Sequence, residues 1–450
     1  MATTIDSALF GHMFGTDEMR RIFSDETKIQ RWMDVEAALA RAESRVGIVP
    51  EAHADEIGRK CSVKLIDLDE LKREFLRTDH AVMALVHCYA AICEPPAGES
   101  VHWGATTQDI LDTGAVLQLR DANDLIVRDL HECLRLLCEQ AQRNKYVLQA
   151  GRTQGQHALP ITFGFKVAVW ADEVKRHLQR LEQLSARLFH GQFAGAVGTL
   201  ASLGEQGLEV QRLMFAELGL SVPDIAWHSA RDRFVELVCT YAMIGGTLAK
   251  IASEVFDLQR TEIAELAEPF HRGKLGSSTM PHKRNPSSAA NVPALHKLLS
   301  AQVTPALACM VVANERDSRS WNAEWSFLAE SCCLLGAMLQ QVNHVLGGLE
   351  VYAPAMRRNL DLLHGLMLSE NVMLALGERI GRQHAHEVMY RLCMDAIEHQ
   401  RPLKELLIED EATAGVFTAE QLDQMLDPSR YTGLAAYFVD RVTKTQDSAG

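Results

Sequence analysis

Between Phe234 and Leu258 the apolar residues Phe234, Leu237, Tyr241, Ile244, Leu248, Ile251, Val255 and Leu258 recur at alternating steps of three and four. On a helix these positions form one narrow stripe, which must lie against other helices. The spacing predicts a helix from about Arg233 to Glu262, a rod about 40 Å long at ~1.5 Å rise per residue. One small domain cannot cover a rod of that length. The chain also keeps proline out of 97–159, 161–222 and 306–353, so nothing there interrupts the backbone ladder of further long helices. Asp112–Arg143 and Thr162–Phe189 read as two of them, with Leu125, Leu130, Leu134 and Leu137 on one face of the first. No stretch alternates with period two for long enough to build a substantial sheet. The expected fold is all-α, with a central bundle of long helices.

Boundaries follow from the same pattern. Short helical units run to about Gly104, the long-helix tract spans 105–352, and shorter units fill 353–450. The helices are rich in Ala and Leu, and only 6% of the 450 residues are aromatic. Long aliphatic rods of this kind pack against copies of themselves, so an oligomer is expected. The net charge of −14 speaks against a surface that coats nucleic acid. An anionic substrate would need a locally cationic pocket. Ten cysteines are scattered without a CxxC pair, which suits small core residues in a reducing cytoplasm. The first fifteen residues lack a basic-then-apolar signal pattern. No uninterrupted apolar run reaches about 18 residues, so a soluble, cytoplasmic chain without a membrane partner is expected. His80 and His87 stand seven apart with no accompanying carboxylate pattern, and no GxGxxG or GxxxxGK[ST] stretch occurs. Neither a metal nor a nucleotide cofactor is indicated.

One segment stands apart from the helices: GKLGSSTMPHKRNP, residues 273–286. Gly273 and Gly276 loosen the backbone, while Pro281 and Pro286 fix two bends. Ser277 and Ser278 offer hydroxyls, Lys283, Arg284 and His282 offer positive charge, and Asn285 offers an amide. A serine among cations and backbone amides can be held as an alkoxide and take a proton. By residue type alone, a basic surface loop that caps a helix fits equally well.

GSSTMPHKRNP resembles the GSSxMPxKxNP signature of the aspartase/fumarase superfamily at every fixed position. QRTEIAELAEPF (259–270), HWGATTQDILDT (102–113) and GRTQGQHALPITFG (151–164) resemble other regions of that family, in the same order. The resemblance implies a homotetramer with a twenty-helix core, three-domain subunits, and active sites built from three chains. It also implies β-elimination, or its reverse, through a carbanion held as an aci-carboxylate, without a cofactor. Carried over by position, Ser277 is the general base, and Lys283 and Asn285 bind the activated carboxylate of a small di- or tricarboxylate. Thr106, Thr107, Gln108 and Asp109 fall where the first region meets substrate, although some could only cap the next helix. Thr153, Gln154 and Gln156 from the second region, with Ser278 and Met280 from the loop, are further substrate-binding candidates. His157 is a candidate acid, or else a structural residue at a helix start.

Two branches of the superfamily are close. The adenylosuccinate lyase branch carries an acid–base histidine in a THGxxA motif, and here Gln154 takes that place. An amide cannot exchange protons at neutral pH. His80, in TDHAVMAL, lies where that branch has a functional histidine, with a satisfied structural histidine as the alternative. Residues 19–50, 227–236, 321–334 and 356–370 resemble the bacterial 3-carboxy-cis,cis-muconate cycloisomerase branch instead. The expectation is therefore a cycloisomerase-like lyase. A lyase that releases fumarate from an N-substituted aspartate or another substituted succinate is the alternative. Arg316, Arg319 and the Arg357–Arg358 pair are plausible carboxylate partners. Arg231 and Arg233 read equally as surface ion pairs or as anion binders.

Overall fold

The computed structural model describes residues 3–271, 273 and 275–444; Lys274, one of the cations of the 273–286 segment, lies outside them. Helices dominate. In chain order, those used below are α1 (Asp25–Arg45), α2 (Ala81–Ile92), α3 (Thr107–Arg143), α4 (Phe163–Leu188), α5 (Asp232–Leu258), α6 (Ser287–Ala301), α7 (Ser318–Gly347) and α8 (Ala353–Asp361). A short hairpin, β1 (Leu148–Thr153) and β2 (Gln156–Thr162), lies between α3 and α4.

The stripe between Phe234 and Leu258 lies on α5, and none of its eight apolar residues is more than 2% exposed. By length and composition this helix could cross a membrane, but its stripe is packed inside the fold. The helix stops at Leu258, four residues before the expected end. From there the backbone tightens into three-residue turns and reaches Ala264 at φ +53°. Neither Gly nor Pro marks the stop, so the sequence carries no signal for it. Conversely, α3 starts five residues earlier than its apolar pattern suggests. The Asp109 carboxylate accepts the Thr106 N–H at 2.9 Å, which is one half of a capping box.

The chain forms two compact units. One comprises the chain up to Leu130, His177–Gly246 and Ala294–Gln340; the other comprises His131–Arg176, Thr247–Pro293 and the chain from Gln341 on. The division falls inside α3, α4, α5, α6 and α7.

The first unit has an ionic core. Arg231 is 2% exposed and donates to both oxygens of Asp112 at 2.8 Å, and to Glu324 at 2.8 and 2.6 Å. Its guanidinium also lies over Trp227 and Phe234, 5.3 and 5.0 Å from the ring centres. Arg231 is thus neither a surface ion pair nor a free anion binder. Every donor it could show a ligand is used inside the fold.

In the second unit β1 pairs antiparallel with β2, Leu148 opposite Thr162 and Thr153 opposite Gln156, with a register shift between Ala150 and Arg152. A Cβ on Gly151 would come within 2.8 Å of the Leu159 carbonyl, so the shift needs glycine. Ala150 and Leu148 pack on Leu360 of α8 and on Met367. His157 therefore sits on a strand and not at a helix start, because α4 begins only at Phe163. All ten cysteines are free; six are buried and four half-buried. Burial raises the pKa of each thiol, to about 11 at Cys61 and about 12 at Cys133.

Replacing Arg231 with Met would leave two buried carboxylates without their cation. We expect a loss of about 3–5 kcal/mol in unfolding free energy, read from urea denaturation. A loss below about 1 kcal/mol would mean that the pair contributes no more than an exposed one.

Candidate functional site

The signature loop is held at its base and open at its tip. Gln259, just past the end of α5, accepts the Glu268 N–H at 2.8 Å and donates to the Arg284 carbonyl at 3.1 Å. One side chain thereby joins the two limbs of the loop. The Glu268 carboxylate, 3% exposed, accepts the Ser288 and Ala289 N–H groups at 3.1 Å each. It caps the first turn of α6, whose amides would otherwise lack partners. Inside the loop, a Cβ on Gly276 would meet the Lys283 carbonyl at 2.4 Å. Only glycine lets the limbs approach that closely.

Ser277 is half-buried, and its Oγ accepts the Met280 N–H at 3.1 Å and the Thr279 N–H at 3.4 Å. Both amides would hold an alkoxide better than a neutral hydroxyl. Ser278, Met280, Lys283 and Asn285 are exposed. Lys283 has no ion pair among the described residues, whereas Arg284 stacks on Phe270 with 4.9 Å to the ring centre. Among the described residues the loop therefore offers Lys283 as a cation without a counter-ion, in the same segment as a serine already supplied with donors.

In the same unit the hairpin rests on Glu265, which sequence reasoning overlooked. Its carboxylate accepts Arg152 at 2.5 and 3.2 Å, Asn359 at 2.7 Å and Gln149 at 2.7 Å. Burial alone would raise the pKa of Glu265, but the bonds from Arg152, Asn359 and Gln149 bring it below its ordinary value. The hairpin tip projects from this base: Thr153, Gln154, Gly155 and Gln156 are all exposed. Gln154 at φ +52° and Gly155 at φ +78° make the tight turn. A left-handed glutamine costs roughly 1 kcal/mol relative to glycine, so the tip carries this side chain against its backbone preference. His157 is half-buried, and its Nδ1 is buried without a hydrogen-bond partner. Burial, and then the charge of Arg152, lower its pKa.

His80, Thr106, Thr107, Gln108, Arg316 and Arg319 lie in the first unit, and Arg357 and Arg358 in the second. His80 caps α2 by accepting the Met83 N–H on Nδ1 at 3.3 Å. Its Nε2 must then carry the proton in the neutral ring, and it lies 3.0 Å from the Thr107 hydroxyl. Arg316 donates to the Thr106 hydroxyl. The two threonines thus meet a histidine and an arginine at the start of α3. Gln108 is 1% exposed and spends its NH2 on Asp112 at 3.1 Å and on the His228 carbonyl at 2.8 Å, so it faces inward. Arg319 pairs with Asp317, Arg357 with Asp361, and Arg358 donates to the Ile263 carbonyl at 3.0 Å. Among the described residues no cluster of three or more His, Cys, Asp or Glu could hold a metal ion.

Comparison with known proteins places the chain in a family. Residues 13–303 match the family described as Lyase, and 365–442 match the adenylosuccinate lyase C-terminus. The N-acetyl-S-(2-succino)cysteine lyase of Dickeya dadantii is 43% identical over 99% of this chain and 98% of its own. The 3-carboxy-cis,cis-muconate cycloisomerase of Pseudomonas aeruginosa is 42% identical over 98% and 97%. The structure of the 3-carboxy-cis,cis-muconate lactonizing enzyme of Pseudomonas putida is similar with a TM-score of 0.93 and 39% identity, covering 98% of this chain and 99% of that one.

Two stability outcomes follow. A carboxylate with a depressed pKa contributes stability that is present above its unfolded value, about 4.3, and is lost as pH falls through the lower folded value. Glu265→Gln should therefore flatten the acid limb of a plot of melting temperature against pH, below about pH 4.5. Gln154→Gly should melt at the same temperature as the parent or higher, by up to about 1 kcal/mol of added stability, because the turn strain is removed.

Proposed function

The chain belongs to the lyase family of the aspartase/fumarase superfamily, and on that premise we propose that it cleaves a 2-substituted succinate thioether into fumarate and a thiol. Ser277, as its alkoxide, removes a proton from the CH2 next to the far carboxylate. The electron pair becomes the new C=C bond, the neighbouring C–S bond breaks, and the sulfur leaves as thiolate. The serine proton then passes to the thiolate or to water. While the carbanion lasts, its charge sits on the far carboxylate, where Lys283 and Asn285 supply a cation and an amide. The Thr279 and Met280 amides favour the alkoxide form of the base. Thr106 and Thr107, backed by Arg316 and His80, hold the second carboxylate. Thr153, Gln154, Gln156, Ser278 and Met280 line the leaving side.

Gln154 carries this reading. At that place the nitrogen-releasing branch has a histidine able to move a proton. An amine needs protonation before it departs, whereas a thiol with a pKa of about 8.5 leaves unaided as thiolate. An amide at the hairpin tip therefore fits C–S cleavage better than C–N cleavage. His157, whose pKa lies below its ordinary value, serves as a neutral hydrogen-bonding group and not as a cationic acid. The likeness to N-acetyl-S-(2-succino)cysteine lyases supports the same substrate class.

Lactone formation from 3-carboxymuconate is the second reading. It is favoured by the likeness to the Pseudomonas putida enzyme, and it too needs no proton carrier at position 154. In either case the proposed assembly is a cytoplasmic homotetramer whose sites draw on three chains. The proposed domain limits stay near 104 and 352, and the reaction is complete without a cofactor.

Fumarate release from N-acetyl-S-(2-succino)cysteine, followed by ultraviolet absorbance beside a parallel assay of muconate loss, separates the two. Ser277→Ala should lower kcat about a thousandfold or more, and Lys283→Met about a hundredfold. Turnover retained in Ser277→Ala would remove the serine from the role of base.

A further inference from the structure

We infer that Asp109, backed by His228, is a positioning residue that holds the backbone on which Thr106 and Thr107 present their hydroxyls to substrate; this rests on the reading of those threonines as substrate contacts. Asp109 is 0% exposed, so it touches no ligand itself. Its Oδ2 accepts the Thr106 N–H at 2.9 Å and the Gly195 N–H at 3.0 Å. Its Oδ1 accepts the Ala194 N–H at 3.0 Å and lies 2.8 Å from His228 Nε2. Every other partner is a donor, so His228 donates here as well, and each lone pair of the carboxylate is filled.

A residue that only capped α3 would need the Thr106 contact alone. Asp109 instead joins three separate segments of chain: the Thr106 turn, the 194–195 loop and the strap that carries His228. The first two also touch, since a Cβ on Gly195 would lie 3.3 Å from the Gly104 carbonyl. The loop then exposes Ala196, Val197 and Thr199. His228, 3% exposed, is fixed in turn: its carbonyl accepts Gln108 at 2.8 Å and Arg231 at 3.4 Å.

The near end of the segment is tied in the same way. His102, at φ +66°, places Nδ1 2.6 Å from Glu36 Oε1, and Glu36 is 1% exposed. Residues 102–109 thus span two buried carboxylates, one met by each end, with the two threonines between them. A substrate carboxylate bound by hydroxyls loses affinity quickly when they move, because hydrogen bonds tolerate little misplacement.

The test uses Asp109→Asn and His228→Phe, with His228→Gln as the conservative rescue. In the free protein, amide exchange should quicken about tenfold or more in peptides covering 104–107 and 194–198. KM should rise about tenfold or more while kcat changes less than about threefold, and His228→Gln, which keeps an amide donor, should recover most of the KM. A merely structural role lowers the active fraction, and hence apparent kcat, but leaves KM unchanged. That pattern overturns the inference, as does unchanged exchange. If Asp109→Asn fails to fold, His228→Phe, which removes one donor of four, gives the same readouts. If the wild type turns over neither the thioether nor the muconate, the functional reading fails by itself, and calorimetric fumarate affinity replaces KM. Weaker fumarate binding in His228→Phe then supports the positioning role. Equal affinity, or no fumarate binding by the wild type, overturns it.

Discussion

A carboxylate removed from water needs hydrogen-bond donors, and the loops of this protein hang from buried carboxylates that accept several. Asp109 anchors the Thr106 turn and the 194–195 loop. Glu265 anchors the hairpin through Arg152, Gln149 and Asn359. Glu268 anchors the first turn of the helix that follows the signature loop. Segments that must meet a small polar substrate cannot be fixed by burying their own side chains. They are fixed from beneath, by charge-assisted bonds in surroundings of low dielectric, where each bond is strong and each vacancy expensive. The apolar stripe of α5 supplies the mass of the fold, and the carboxylates supply its registration.

This division of labour leaves the chemical groups free. Ser277 has two backbone amides aimed at its oxygen, and Lys283 is exposed without a counter-ion among the described residues. Arg231, by contrast, is wholly committed to Asp112 and Glu324. Arg231 thus holds the scaffold, whereas Lys283 on the loop keeps its charge uncompensated among the described residues. A net charge of −14 is compatible with an anionic substrate because the loop concentrates positive charge in a few residues.

Periodicity made the long helices legible, since a 3–4 stripe has one meaning over 25 residues. It could not place their ends. α5 stops at a turn without Gly or Pro, and α3 starts at a cap set by Asp109, a residue whose acceptor role depends on amides 85 and 86 positions away. The hairpin was hidden for a related reason. Its turn is Gln-Gly rather than Asn-Gly, and Pro160 lies within the second strand, so both usual strand signals are weak. The loop at 273–286 was readable through its likeness to the GSSxMPxKxNP signature, since its residue types alone left a helix-capping basic loop equally open. Glu265, Gln259 and Arg152 were not, because a polar residue in sequence does not reveal which distant backbone it will hold.

The ten free cysteines described above acquire a meaning from the proposed product. Fumarate is an electron-poor alkene, and thiolates add to such double bonds. The nucleophile in that addition is the thiolate, not the thiol. Burial raises the pKa of every thiol here, to about 11 at Cys61 and about 12 at Cys133, which disfavours the thiolate. On the proposed reaction the protein would release such an alkene among thiols that burial makes poorer nucleophiles.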